Sequence, residues 1–223
     1  LIPAYGVPST FLLLGAVFVV ALVALGSLLR FPAADWRAPA AATASKRTWT
    51  PLEDVDTRTM IRSRMFWATW LLYVLGTAGG FMVIGKAKPI AQEVGLVTDA
   101  VLATAAIQVL AIFNSGGRPL FGRLADVYGP KRALLVMYGV LLGSMALLSV
   151  SAAVVPLYLG IGITGMVFGG FLAVMPALAT LFFGAKNLGT NYGVLFTGYG
   201  FGAIVALFAS GWIRDYFGSY TPA

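Results

Sequence analysis

Arg118 stands inside an otherwise apolar block, in the run Asn114-Ser115-Gly116-Gly117-Arg118-Pro119, near the end of the stretch 100–121. At about 100° per residue, Thr104, Gln108, Ser115 and Arg118 fall on one narrow helical face, with Asn114 at its edge. A polar stripe on such a helix must face protein or water, because lipid offers it no hydrogen bonds. A guanidinium at that depth costs at least about 2.5 kcal/mol unless it reaches the interface or finds a partner. No Asp or Glu lies deep within an apolar block of this chain to neutralise it. Three resolutions stand open: an acid from another part of the protein, snorkelling to the surface, or an anionic ligand. Among anions a carboxylate is the natural match, since the planar fork of arginine donates two parallel hydrogen bonds to it. Asn114 and Gln108 are candidate polar neighbours of the cation. Tyr73 and Thr77, one turn apart on another block, are further candidates, with plain helix packing as their alternative.

A second cluster runs from Gly122 to Arg132: Gly122-Arg123-Leu124-Ala125-Asp126-Val127-Tyr128-Gly129-Pro130-Lys131-Arg132. It gathers an acid, two glycines and a basic pair between two apolar blocks. The expectation is a short turn that reverses two antiparallel helices, with Asp126 and its basic neighbours forming a charge network at the membrane surface. A generic basic loop is the plainer alternative. Bond-making chemistry finds no footing here. The chain has no Cys and no His, which removes thiolate metal sites and the residue that titrates most readily near neutral pH. No nucleophile–base pair, metal cluster or phosphate-binding loop is visible, so neither an enzyme, a metal site nor a cofactor is expected.

What positions these residues is a membrane. Of 223 residues, 59% are hydrophobic and 10% charged, against roughly a quarter charged in a soluble domain. A helix needs about 20 apolar residues to cross the hydrocarbon core, and six stretches qualify: 9–29, 65–85, 100–121, 133–153, 156–183 and 190–212. The fold class expected is an all-α polytopic transmembrane bundle. Residues 1–29 form one span, 30–64 a polar Ala-, Pro- and Thr-rich linker read as solvated, and 65–223 a five-span bundle. The chain opens on Leu1 rather than Met and already lies near an apolar block, which reads as a fragment.

The net charge of +7 raises the question of nucleic acid, but the basic residues lie between apolar blocks and no basic stripe occupies a soluble face. With the linker in the cytoplasm, that side collects Arg30, Arg37, Lys46, Arg47, Arg58, Arg62, Arg64, Arg123, Lys131, Arg132 and Lys186. The other side holds Lys86, Lys88 and Arg214. This is a clear positive-inside bias. Three G-x-x-x-G pairs, Gly76/Gly80, Gly165/Gly169 and Gly198/Gly202, mark faces where helix backbones can approach closely in lipid.

The Gly122–Arg132 cluster resembles the loop signature of the major facilitator superfamily, Gly-x-Leu-x-Asp-x-x-Gly-x-basic-basic, at Gly122, Leu124, Asp126, Gly129, Lys131 and Arg132. Val127 and Pro130 stand where basic residues are usual. The resemblance implies twelve spans in two halves joined by a cytoplasmic linker, with this loop controlling closure of the cytoplasmic gate. Residues 30–64 would be that linker and the chain would cover spans six to eleven, its partner being the absent N-terminal half.

Phe113-Asn114-Ser115-Gly116-Gly117-Arg118-Pro119, with Gly79-Gly80-Phe81-Met82-Val83-Ile84-Gly85 and Pro89-Ile90-Ala91-Gln92, is similar to the oxalate:formate antiporter family, related to the monocarboxylate transporters. The resemblance makes Arg118 the substrate-binding arginine of the eighth span. Where oxalate antiporters place a Lys in the eleventh span, this chain has Tyr199, in Phe196-Thr197-Gly198-Tyr199-Gly200. Two cations suit a small dianion, whereas one cation and a phenol suit a monoanion. Tyr192, two turns earlier on the same face, is a second pathway phenol or an interfacial anchor.

The expected function is secondary transport of small organic anions, mainly monocarboxylates, across the plasma membrane by alternating access, as antiport or proton-coupled symport. Arg118, Asn114, Gln108, Tyr199 and Tyr73 would contact substrate, and Gly122, Asp126, Gly129, Lys131 and Arg132 would form the gating loop. A drug-type exporter predicts an intramembrane acid instead of an uncompensated arginine. A membrane sensor that does not transport would bind anions without moving them.

Overall fold

The computed structural model describes residues 2–29, 49–93, 100–151 and 153–218. All regular structure among them is helical: α1 (Ile2–Leu28), α2 (Thr57–Arg62), α3 (Arg64–Glu93), α4 (Ala100–Tyr128), α5 (Pro130–Ser149), α6 (Val154–Phe183) and α7 (Leu188–Phe217). The chain divides into two compact units, Leu1–Ala44 and Ser45–Ala223. In the first, α1 is apolar throughout and broken near its start, where Gly6 (φ 70°, ψ 169°) precedes Pro8. Its side chains from Phe11 to Leu29 are almost all exposed, as suits a helix whose solvent is lipid.

Five helices among the described residues are long and apolar enough to cross a bilayer: α1, α3, α5, α6 and α7. The sixth stretch expected to span, 100–121, lies within α4, whose 29 residues also suffice for a crossing. Its apolar surface is interrupted by Gln108, Asn114 and Arg118.

In the second unit α6 is the central post, with the largest share of buried side chains. Helices in lipid gain little from apolar burial against one another, so close packing and small residues hold them together. The α4–α6 seam shows this most clearly. A Cβ at Gly117 would come within 1.9 Å of the Met166 carbonyl oxygen, and one at Gly169 within 2.0 Å of the Asn114 carbonyl oxygen. The other pairs serve the same end: Gly80 receives the Phe168 ring of α6, and Gly202 of α7 lies against Thr77 of α3. Thr77, read as either a cavity contact or plain helix packing, is buried in that seam, its hydroxyl donating to the Tyr73 carbonyl of its own helix at 2.7 Å. Between α5 and α6 the buried hydroxyls of Ser144 and Thr164 meet at 3.0 Å, and the Tyr138 hydroxyl donates to the Leu72 carbonyl of α3.

Two expectations are corrected. Gly122–Tyr128 is not a loop. It is the last part of α4, held in helix because Phe121 and Ala125 are buried on the inner face. The reversal needs Gly129 alone, at φ 89°, a conformation that side-chain-bearing residues avoid. Pro130 then opens α5 with its fixed φ at the first helical position. The later part of the presumed solvated linker is also ordered. Residues 49–56 lie on the bundle, and α2 follows, capped by Asp56, whose Oδ2 accepts the N–H groups of Arg58 at 3.1 Å and Thr59 at 3.2 Å. These bonds, with that of the Thr59 hydroxyl, hold the Asp56 carboxyl below its usual range. The earlier part of the linker, 30–48, lies outside the described residues.

Candidate functional site

The ends of α4 and α6 and the starts of α5 and α7 gather at one end of the second unit, with α2 and the start of α3. This end carries Arg58, Arg62, Arg64, Arg123, Lys131, Arg132 and Lys186, whereas Lys86, Lys88 and Arg214 lie at the opposite ends of their helices. The helical order therefore reproduces the charge bias read from the sequence for the described residues.

Arg118 stands on α4 ten residues before its end, about 100° round the helix from the Gly117–Met166 contact. It is exposed within this chain. Among the described residues no carboxylate forms an ion pair with it. Tyr199, the phenol expected to share the site with it, comes from α7.

Tyr199 sits in a nest of rings. It stacks on Phe196, one turn earlier on α7, with centroids 5.0 Å apart and planes at 9°. Phe81 and Tyr73 of α3 meet it edge-on at 5.0 and 6.1 Å, and Phe168 of α6 lies tilted to it at 5.7 Å. Such offset and edge-to-face pairs each add about 0.5–1.5 kcal/mol beyond their area. Phe196 remains 38% exposed, so the stack presents one open ring.

The other expected site residues divide. Gln108 and Ser115 are exposed on α4, on the Arg118 side, and Ser115 donates back to the Ala111 carbonyl at 3.0 Å. Asn114 is half-buried, its backbone pressed against Gly169. Tyr73 is wholly buried, with 0% exposure, and its hydroxyl lies 3.5 Å from that of Tyr192. The Tyr73 ring therefore forms the floor beneath Tyr199 and not an exposed wall. Phe81, Phe168 and Phe196 were not singled out from sequence. In a chain with fifteen Phe, nothing in spacing separates ring-nest phenylalanines from ordinary lipid-facing ones.

At the basic end, Gly122 and Asp126 help line a cavity of about 310 Å³ with Trp49, Ala173, Pro176, Thr180 and Leu188. Lys131 does not join Asp126 there; its Nζ sits 5.0 Å from the centre of the Phe182 ring on α6. Arg132 is exposed.

The sequence profile of the Major Facilitator Superfamily matches residues 1–206. The chain belongs to that superfamily. As a major facilitator protein it is a multi-pass membrane protein of the transporter class, and two curated relatives sharpen the comparison. It is 30% identical over 205 residues to the uncharacterized MFS-type transporter YhjX of Escherichia coli K12, covering 92% of this chain and 49% of that protein. It is 25% identical over 211 residues to the oxalate:formate antiporter of Oxalobacter formigenes, covering 90% of this chain and 48% of the antiporter. The chain spans about half the length of the curated relatives it matches. The resemblance read from the Arg118 and Gly122–Arg132 motifs thus agrees with the comparison over some nine-tenths of this chain.

Proposed function

We propose that this chain is part of a secondary transporter that moves small organic anions, chiefly monocarboxylates, by alternating access, with a further half of the bundle completing the pathway. The observation that carries this reading is the Arg118 guanidinium, exposed on a membrane helix and without an ion-pair partner among the described residues. A cation held in a membrane helix without a counter-charge favours an anionic occupant, and the planar fork favours a carboxylate. Gln108 and Asn114 flank the cation on α4. The likeness to an oxalate:formate antiporter supports the same class of cargo.

Tail selection follows from the rings. Phe81, Phe168 and Phe196 surround Tyr199, giving the second end of a bound anion an apolar wall with one hydroxyl instead of a second cation. A monoanion with a short apolar or hydroxylated tail fits that wall, and a second carboxylate would be desolvated there without compensation. Exchange of one anion for another needs no titrating group and is compatible with the described spans, whereas proton-coupled symport would draw its titrating group from the other half. The lower part of α4, from Gly122 to Tyr128, with Gly129, Lys131 and Arg132, would act in closing the cytoplasmic side.

The test is counterflow into liposomes by the complete transporter, across a panel of mono- and dicarboxylates. Accumulation of labelled lactate driven by internal monocarboxylates, with oxalate a poor competitor, is the expected pattern. Accumulation driven by organic cations and by no carboxylate would refute the reading.

A further inference from the structure

Residues 49–57 are fastened to the basic end of the bundle at five of their nine positions. The Trp49 indole N–H donates to the Ala125 carbonyl near the end of α4, at 3.1 Å. The N–H groups of Leu52 and Val55 donate to the Leu181 and Phe183 carbonyls, at 2.9 and 3.1 Å. Those are oxygens of the last turn of α6, which a helix cannot satisfy within itself. Asp54 Oδ1 accepts the Lys186 backbone N–H at 3.0 Å, just ahead of α7. The Val55 carbonyl accepts from Asn187 Nδ2 at 3.2 Å and Asn191 Nδ2 at 2.9 Å, and Thr57 Oγ1 donates to Asn191 Oδ1 at 2.7 Å.

The seat is shaped for this segment. At Gly184, with φ 76°, an added Cβ would fall 2.1 Å from Asp54 Oδ1 and 2.6 Å from Asp54 Cα. Asn191 is 0% exposed, and both ends of its amide are bonded to the segment. Met60, in the helix that follows, is also 0% exposed. Lifting the segment would strand a buried amide and reopen the carbonyls of α6, the situation folded proteins avoid most consistently.

We propose that residues 49–57 form a clasp that stays seated through the transport cycle and makes the cytoplasmic-side ends of α4, α6 and α7 move as one piece. Loops between halves of a protein are ordinarily tethers; this one is a structural member of the bundle from Trp49 onward. Trp49 bonds to the residue before Asp126, and both line the same cavity. The clasp thereby fixes the lower part of α4 against the α6–α7 connection.

The test is a distance measurement by pulsed electron paramagnetic resonance on the complete transporter in liposomes, spin-labelled at Glu53→Cys and Lys186→Cys. Both positions are exposed; this chain has no Cys, and any Cys in the rest of the transporter is replaced by Ser. One narrow short distance is expected, unchanged by lactate, oxalate or formate. Gly184→Ala should broaden it at least twofold. A second, longer population in any of these conditions would overturn the clasp as a fixed element, and so would a distribution that Gly184→Ala leaves unaltered. Should Gly184→Ala fail to fold, Asn191→Leu, which keeps the volume and removes both amide bonds, gives the same two readings.

Discussion

The backbone of Gly117 touches the backbone of Met166 so closely that a methyl group at 117 would come within 1.9 Å of the Met166 carbonyl oxygen. Since Arg118 is the next residue, this contact fixes where the guanidinium stands on α4 relative to α6. Gly117→Ala must therefore push α4 from α6 or rotate it, because the obstacle is backbone and cannot swing aside. The expected cost is about 1–3 kcal/mol of stability, read as a lower midpoint of thermal unfolding in detergent, with anion affinity falling alongside. Gly116→Ala, where an added Cβ meets nothing within 4 Å, should leave both unchanged.

Tyr199→Lys would place a second cation inside the ring nest. The faces of Phe81, Phe168 and Phe196 can receive an ammonium at about 0.5–2 kcal/mol of cation–π attraction each, so the variant is expected to fold. Its substrate preference should move toward dianions, with oxalate gaining at least about tenfold over lactate in competition, a shift of roughly 1.4 kcal/mol. An unchanged ratio would place Tyr199 outside the pathway.

Lys131→Met tests whether the basic pair of the 122–132 motif acts through charge or through packing. The ammonium sits over Phe182 at 5.0 Å, a contact worth about 0.5–1 kcal/mol at an exposed site. Thermal stability should fall by no more than that amount. A much larger loss in transport rate than in stability would show that the charge acts in gating.

Acid should loosen α2. The Asp56 carboxyl is held below its usual value of 3.8 by the Thr59 hydroxyl and the Thr59 and Arg58 N–H groups. A depressed native value means that the contribution is fully present above 3.8 and fades as pH falls through the lower folded value. Protection of the Arg58 and Thr59 amides, relative to their intrinsic exchange rates, should fall over that window in wild type and be low at every pH in Asp56→Ala.

The sequence made the bundle legible because lipid imposes long apolar runs and the basic residues mark one side. Arg118 was legible for the same reason: a lone cation in such a run stands out. The ring nest was not, since phenylalanine is ordinary on a lipid-facing helix and only the fold brings Phe81, Phe168 and Phe196 to one phenol. The Gly122–Tyr128 segment read as a turn because charges cluster there, yet the buried inner face of Phe121 and Ala125 keeps it helical. The attachment of 49–57 has no sequence signal because backbone groups make much of it, and their partners leave little mark on composition.

The central claim is that Arg118 holds the carboxylate of the transported anion, and counterflow by the complete transporter carrying Arg118→Ala tests it most directly. A charge-assisted pair of hydrogen bonds is worth about 1.5–3 kcal/mol, so affinity for lactate should fall by roughly 10- to 100-fold, with Arg118→Lys restoring part of it. Counterflow by Arg118→Ala at wild-type rate and affinity would contradict the account.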